Sequence, residues 1–432
     1  MQDIFYASGG QNANVAAEID LALKKLSIRR IRAEEESSIN EIGKDSSSVT
    51  RTVNFKQSGS EWGKMLKPGL KAVLITDPGR DLDDEFSFLL MSSFEEDKEV
   101  ECSLVGVVAV LSPSIDRACL ARGSLDLLGM PCVPVVPGAE GGKELEINLD
   151  SAKSYCTSRE VFEKAVDVDE VKSMDMLVKI YDTSEEKSIQ VTVIACMTDL
   201  AEFMRCEEEL FVEKTKSVCI MGGVVVQGKE GGESTLGPRL VSDSAYNNAC
   251  DKNASEYVYS KCQDLGVPLI VLTRHAAYAC PIEKELYSEM AASGHPMAVR
   301  LYKEQKNSIL GLWKRAASPL GSPKRKELPD RCDKAWFLST FTGGDGEECG
   351  AEDDIWPYVK HFMMYDPLAC LVGIDKFADL FDFTELSVNG CVHKVVGFDK
   401  DNHGLKEPSK IKNELVKRFK DAIRLRGGNP LL

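Results

Sequence analysis

The run Ala72-Val73-Leu74-Ile75-Thr76-Asp77-Pro78-Gly79-Arg80-Asp81-Leu82-Asp83-Asp84 decides how this chain reads. Four apolar residues lead into Pro-Gly, the pattern of a buried strand that breaks into a turn. Asp77, Asp81, Asp83 and Asp84 then crowd into the turn. A turn after a buried strand lies at the carboxyl edge of a sheet, where open α/β folds bind ligands. Carboxylates packed this closely repel one another unless a cation neutralises them. The simplest candidates are hard ions that take oxygen ligands, Ca²⁺ or Mg²⁺. Taken singly, Asp77 and Asp84 also suit turn and helix N-cap positions.

The rhythm of the run repeats downstream. Short, β-branched apolar stretches recur at 104–110, 133–136, 189–195, 217–222 and 268–272, after the first at 71–76. Helical stretches separate them, as at 84–93 and 116–128. Alternation of this kind predicts an α/β fold: a mainly parallel open sheet with helices on both faces. Pro137-Gly138 and Gly222-Gly223 end strands in loops along one rim. Asn389-Gly390 between 385–388 and 391–396 predicts a C-terminal β-hairpin.

The ends of the chain read differently. Val15, Ile19, Ala22 and Leu26 share a helical face, so 13–35 is expected to be helical, and the polar, serine-rich 36–66 to be a linker. Residues 1–68 form an N-terminal extension on this reading, and 69–432 the main domain. Within it, 312–357 breaks the rhythm with Ser-Pro pairs, Lys324-Arg325-Lys326 and Gly343-Gly344-Asp345-Gly346, and is expected to be an insertion or lid. Ile411, Leu415, Phe419 and Ile423 mark a basic amphipathic helix over 408–426, expected to pack on the sheet.

Composition narrows the class. The chain has 432 residues, 43% hydrophobic and 28% charged, with a net charge of −16 that argues against nucleic acid as the main partner. Its 14 cysteines are scattered and several lie in apolar runs, as buried thiols do in a reducing compartment. Met1-Gln2-Asp3 has neither a basic start nor an apolar run behind it, and no stretch is long enough to span a membrane. The expected location is the cytoplasm, with no membrane partner.

Later stretches give the acidic turn a context. The Asp77 run resembles the Asp-x-Asp-Pro-Gly-x-Asp-Asp signature of the nucleoside hydrolases. In order follow Met130-Pro131 through Gly138-Ala139, Ala195-Cys196-Met197-Thr198-Asp199-Leu200-Ala201, Ile220-Met221-Gly222-Gly223, Tyr246-Asn247 through Asp251, and Tyr365-Asp366-Pro367-Leu368-Ala369. Each is similar to a motif of that family, and together they cover roughly 70–398.

The resemblance implies one Ca²⁺ per chain and cleavage of an N-ribosidic bond. It makes Asp77 both metal ligand and general base. Asp84 and Asp366 become metal ligands, and Thr198 contributes its backbone carbonyl. Asp83 and Asn247 hold the ribose hydroxyls, with Met221 also at the substrate. Family members are commonly homo-oligomers, so the same is expected here.

The departures bear on specificity. Ile75 stands where the family has an acid, and the acidic loop is two residues longer. Val110-Leu111-Ser112 replaces an Asn, and Ala245-Tyr246 replaces Glu-Phe, with Asp243 or Arg239 as candidate compensators. Tyr365 takes the place of the His that protonates the leaving base, and His361 lies one turn before it. Tyrosine is the weaker acid near neutrality. Arg274, His275 and Tyr278, after the strand at 268–272, are candidates to contact a base or a phosphate. The longer loop resembles a divergent branch that includes nucleoside-hydrolase-like effector proteins of plant-pathogenic bacteria. Two functions remain open: a ribohydrolase, or a ligand-binding protein that keeps the metal–ribose pocket with little turnover, for a nucleoside, nucleotide or ADP-ribose-like ligand. A magnesium-dependent phosphotransferase fits the acids but not the motif order.

Overall fold

The computed structural model describes residues 69–142, 171–228, 237–325 and 328–427. The expected helix at 13–35 and the linker at 36–66 lie outside the described residues. In chain order the first half contains β1 (Leu70–Thr76), α1 (Asp83–Glu96), β2 (Cys102–Ala109), α2 (Ser114–Leu127), β3 (Val135–Pro137), α3 (Ser173–Asp182), β4 (Ile189–Val193), α4 (Thr198–Cys206), α5 (Glu208–Lys214) and β5 (Thr215–Met221). Then come β6 (Val224–Gln227), β7 (Arg239–Ser242), α6 (Tyr246–Ala249), α7 (Lys252–Asp264), β8 (Leu269–Leu272) and α8 (Arg274–Ala279). The remainder is β9 (Ile282–Glu283), α9 (Glu285–Ala291), α10 (Pro296–Ala316), α11 (Lys334–Phe337), β10 (His361–Phe362), α12 (Tyr365–Val372), β11 (Thr384–Val388), β12 (Cys391–Val396) and α13 (Pro408–Leu425).

Eight strands form one sheet in the order β11-β12-β8-β5-β4-β1-β2-β3. Every neighbouring pair is parallel except β11–β12, the expected hairpin. Its turn residues Asn389 and Gly390 both have positive φ, 51° and 80°, as a two-residue type I′ turn demands. All seven residues of β1 are buried or nearly so, since helices cover both sheet faces. Ala72 and Leu74 join a core with Phe86 of α1, Leu368 of α12 and Phe419 of α13. Gly106 of β2 faces the other way, where an added Cβ would stand 2.6 Å from Ile180 of α3. That face is closed by Tyr181, Phe203 and Phe211, with ring centroids 4.5 and 6.4 Å apart along the row.

Three expectations shift in detail. The third strand is short, Val135–Pro137, because Val133 and Pro134 still belong to the loop leaving α2. The C-terminal helix packs on α1 rather than on the sheet, with Phe419 edge-on to Phe86 at 4.8 Å. The reason is that α1 is buried from Asp83 through Phe94, so it sits between sheet and α13, covered on both sides. The break expected at 312 falls after Ala316, where α10 ends. Its last turns carry Trp313 into a cluster with Phe337 and Phe341, at 5.0 and 4.9 Å between successive rings. The segment that follows is therefore anchored by buried aromatics. The described cysteines are all free. No helix among the described residues is long and apolar enough to cross a membrane.

Candidate functional site

Parallel strands align their carboxyl ends, so the loops after β1, β4, β5 and β8 open on one edge. Asp83, Asp84 and Glu85 fill the first turn of α1, and Asp366 lies in the first turn of α12. Helix N-termini favour negative charge, since their first N–H groups are unpaired. The two termini meet: the Asp366 N–H donates to Asp83 Oδ2 at 3.3 Å. Oxygen atoms of Asp83, Asp84 and Asp366 all lie within 4.8 Å of one another. These carboxylates are 9%, 3% and 6% exposed.

Asp77 stands beside this trio, outside the group of three. Its N–H donates to Asp84 Oδ1 at 3.0 Å, and the same oxygen accepts the Thr76 hydroxyl. Arg117 of α2 supports the turn from below. It donates to the carbonyls of Asp77 and Pro78, and its guanidinium is 3.9 Å from Asp77 Oδ2. The backbone of the longer loop is tied down at Arg80, whose carbonyl accepts from Ser308 of α10 at 2.8 Å.

The electrostatics follow from this crowding. Burial pushes Asp77 up to about 7, against the pull of Arg117 and with help from Asp81 and Glu85. Burial, then Asp81, pushes Asp83 up to about 7. Asp84 is held well above the usual carboxylate range by burial, then by Asp77 and Asp83, and Asp366 likewise by burial, then by Asp83, Asp84 and Asp77. A divalent cation fits such a set. Every donor is an oxygen, the ligands are three buried carboxylates, and each charge is destabilised by the others until a cation offsets them.

Asn247, Met221 and Thr198 lie at the carboxyl ends of β4 and β5. Asn247 spends both amide hydrogens on backbone, donating to the carbonyls of Ile194 and Met221 at 3.0 Å each. Its Oδ1 then remains as an acceptor, the complement of a hydroxyl. Met221 closes β5 and is 8% exposed. Thr198 opens α4, with its hydroxyl donating to Asp251 Oδ2 at 2.8 Å. Asp251 in turn caps α7 through the Ala254 N–H, 3.0 Å away. Of the two candidate compensators, Arg239 pairs with Asp264 at 2.7 Å, whereas Asp243 sits against Gly223 and 3.7 Å from Arg274.

Two aromatic groups follow the strand ends. Tyr278 of α8 and Tyr365 of α12 meet edge to face, centroids 6.1 Å apart. Burial, then Tyr278, holds the Tyr365 hydroxyl well above the ordinary tyrosine range, so it is a hydrogen-bond donor near neutrality rather than an acid. The His275 N–H is capped by Thr273 Oγ1 at 3.2 Å, and burial with the neighbouring Arg274 lowers its imidazole pKa. His361 lies in the β9–β10 ribbon, opposite Glu283. The reading from sequence missed Thr76, Arg117 and Trp336. Thr76 directly precedes the motif and was legible as a strand-end hydroxyl. Arg117 and Trp336 reach the site only through packing of distant segments.

Fold and site define an α/β protein with a buried carboxylate cluster and an amide acceptor at the carboxyl edge of a parallel sheet. The sequence model described as inosine-uridine preferring nucleoside hydrolase matches residues 73–412. The chain belongs to that family. Among solved structures, it is similar to the type III effector protein XopQ complexed with adenosine diphosphate ribose (28% identity, TM-score 0.65, covering 85% of this chain and 98% of that one). The effector protein XOO4466 is alike at 28% identity and TM-score 0.64, over 87% of this chain and 100% of that one. The purine-preferring ribonucleoside hydrolase from Gardnerella vaginalis shares the fold at 14% identity and TM-score 0.51, over 82% and 99% of the two chains. No curated protein sequence matches the chain.

Proposed function

We propose that this protein is a metal-dependent N-ribohydrolase acting on a nucleoside or a related ribosylated compound. The observation that carries the reading is the convergence of Asp83, Asp84 and Asp366 within 4.8 Å at the mouth of the sheet. Membership of the family supports it, as does the ADP-ribose bound by the similar effector XopQ, which extends the ligand class to ribosylated phosphates.

On this reading Asp77, Asp84, Asp366 and the Thr198 carbonyl would hold one Ca²⁺, with Mg²⁺ the less favoured ion, and Asp83 lies close enough to join them. When bound, such a cation supplies Lewis acidity that lowers the pKa of a nearby water. Asp77 accepts the proton of the water that adds to C1′. Asp83 and Asn247 orient the ribose hydroxyls, and Met221 packs at the sugar. As the bond from C1′ to the base nitrogen breaks, the sugar gains oxocarbenium character, which the surrounding carboxylates stabilise. Tyr365 and Tyr278 face the departing base, and Arg274 and His275 lie at the rim where a phosphate would extend. The segment after α10, within 312–357, covers this side. The free thiols suit a reducing, cytoplasmic setting.

The test is a panel of inosine, uridine, AMP and ADP-ribose with Ca²⁺, read as release of reducing sugar. Turnover that Asp84→Ala abolishes supports the enzyme. Tight Ca²⁺-dependent binding without turnover replaces it with a ligand-binding protein.

A further inference from the structure

A buried arginine beside a cation site is an unusual neighbour, and Arg117 is 5% exposed. It is the fourth residue of α2, whose start is fixed by Glu140: Oε1 accepts the Ser114 hydroxyl at 2.6 Å. From there one guanidinium nitrogen, Nη1, donates to the carbonyls of Asp77 and Pro78 and stands 3.9 Å from Asp77 Oδ2. That last distance suits an ion pair but is too long for a hydrogen bond. A buried positive charge is costly unless a carboxylate answers it, and Asp77 does so here. Asp77 is also the acid that stands apart. Oxygens of Asp83, Asp84 and Asp366 gather within 4.8 Å, and Asp77 is outside that group. The neighbouring acids receive neutral donors instead. Asp84 Oδ1 takes the Thr76 hydroxyl and the Asp77 N–H, and Asp83 Oδ2 takes the Asp366 N–H.

We propose that Arg117 is a positioning residue that competes with the cation for Asp77, so that the trio carries the metal while Asp77 stays at the edge of the ligand set as the base. This rests on the ribohydrolase reading. In that reaction the water oxygen bonds to C1′ as the bond from C1′ to the base nitrogen breaks, and the electron pair of that bond leaves with the base. One water proton goes to Asp77 and then to the departed base, so Asp77 ends as it began. A carboxylate drawn fully onto a divalent ion is a poor proton acceptor, because the ion withdraws its lone pairs. Arg117 orients Asp77 differently. Its Nη1 protons go to the two carbonyls, so its charge attracts Oδ2 without that nitrogen filling the oxygen's lone pairs.

The experiment titrates Ca²⁺ calorimetrically into the metal-free full-length chain: wild type, Asp77→Asn, Asp84→Asn, Arg117→Gln and Arg117→Lys. Values of kcat and KM are then measured at saturating Ca²⁺, on the panel compound that wild type cleaves fastest. Asp84→Asn is expected to weaken Ca²⁺ binding by roughly 100-fold, and Asp77→Asn by less than roughly 10-fold, since affinity follows the charge of the ligands that touch the ion. Asp77→Asn nonetheless lowers kcat by roughly 1,000-fold, within the range for a lost general base. Arg117→Gln removes a like charge near the ion, so Ca²⁺ should bind roughly 3- to 10-fold more tightly. Its kcat should fall roughly 10- to 100-fold at unchanged KM, the scale of a lost supporting contact. Arg117→Lys keeps the charge and has protons for both carbonyls, and should recover most of that kcat. An arginine that merely braces the turn would give weaker Ca²⁺ binding in Arg117→Gln, and that result overturns the proposal. So does a wild-type kcat in Arg117→Gln, or a Ca²⁺ loss in Asp77→Asn equal to that in Asp84→Asn. The aspartate comparison still decides if Arg117→Gln fails to fold. A wild type that binds Ca²⁺ but cleaves nothing on the panel ends the hydrolase reading, and this one with it.

Discussion

Arg300 and Glu85 form a 2.9 Å ion pair whose side chains are 1% and 0% exposed. The pair joins α10 to α1 one residue past the carboxylate trio, across 215 positions of sequence. Removing one partner strands a charge that water cannot reach. Arg300→Met is therefore expected to cost roughly 3–5 kcal/mol in denaturant unfolding. The double variant Glu85→Leu with Arg300→Met removes both charges and should recover most of that loss. A double variant no more stable than the single one would show that the pair is not the source of the penalty.

Metal occupancy should be visible in stability as well as in turnover. A cation that binds only the folded chain raises Tm with concentration, by linkage. Added Ca²⁺ is expected to raise the wild-type Tm, and Asp84→Ala to remove that increment. In metal-free protein the same substitution relieves the crowding by Asp77 and Asp83 but leaves the Thr76 hydroxyl and the Asp77 N–H without their acceptor, so a destabilisation of no more than about 1–3 kcal/mol is expected. Differential scanning calorimetry in EDTA and in Ca²⁺ checks both halves.

His393 gives a pH dependence whose sign can be worked out. It is fully buried in β12, and its Nδ1 accepts the Leu269 N–H at 3.1 Å. Burial, helped by Arg239, lowers its pKa from 6.5 to about 4. Between those values the unfolded chain binds a proton that the folded one refuses. The contribution is thus full above 6.5 and is lost as pH falls toward about 4. Asp77 and Asp83, raised to about 7, act with the opposite sign in metal-free protein. The clean quantity is therefore wild type minus His393→Gln: wild-type urea midpoints should fall relative to the variant as pH drops through that window. Parallel curves would remove His393 from the account.

Asn247 offers a test of sugar recognition independent of the metal. Asn247→Ala deletes the acceptor and frees the Ile194 and Met221 carbonyls. A loss of roughly 10- to 100-fold in kcat/KM is expected for inosine, about 1.4–2.7 kcal/mol of binding. The loss should shrink for whichever deoxyinosine, 2′ or 3′, lacks the hydroxyl that Asn247 accepts. Equal losses on all three substrates would mean the amide only braces the strand ends.

Much of this was legible beforehand because local rules govern it. The first strand, the turn at Pro78-Gly79 and the first helix followed from hydrophobic runs and breaker residues, and the hairpin from Asn389-Gly390. Where expectation slipped, a tertiary contact decided. The sequence of α1 mixes acids and serines with its apolar residues, and so looks no different from that of a helix lying on the surface of a sheet. Only the docking of Phe419 on Phe86 shows what covers its outer side. Trp336 carried no local signal, since its meaning depends on Tyr278, which lies 58 positions earlier.

The sequence by itself determined the element types and the acids on the turn after β1, because strand, turn and helix-start preferences act over a few residues. Tertiary structure alone decided that Asp366 would meet Asp83 across 283 positions, and that Arg117 and Trp336 would stand behind the site. The reason is physical. Strand order and helix docking are set by burial summed over the whole core, and no short stretch contains that sum.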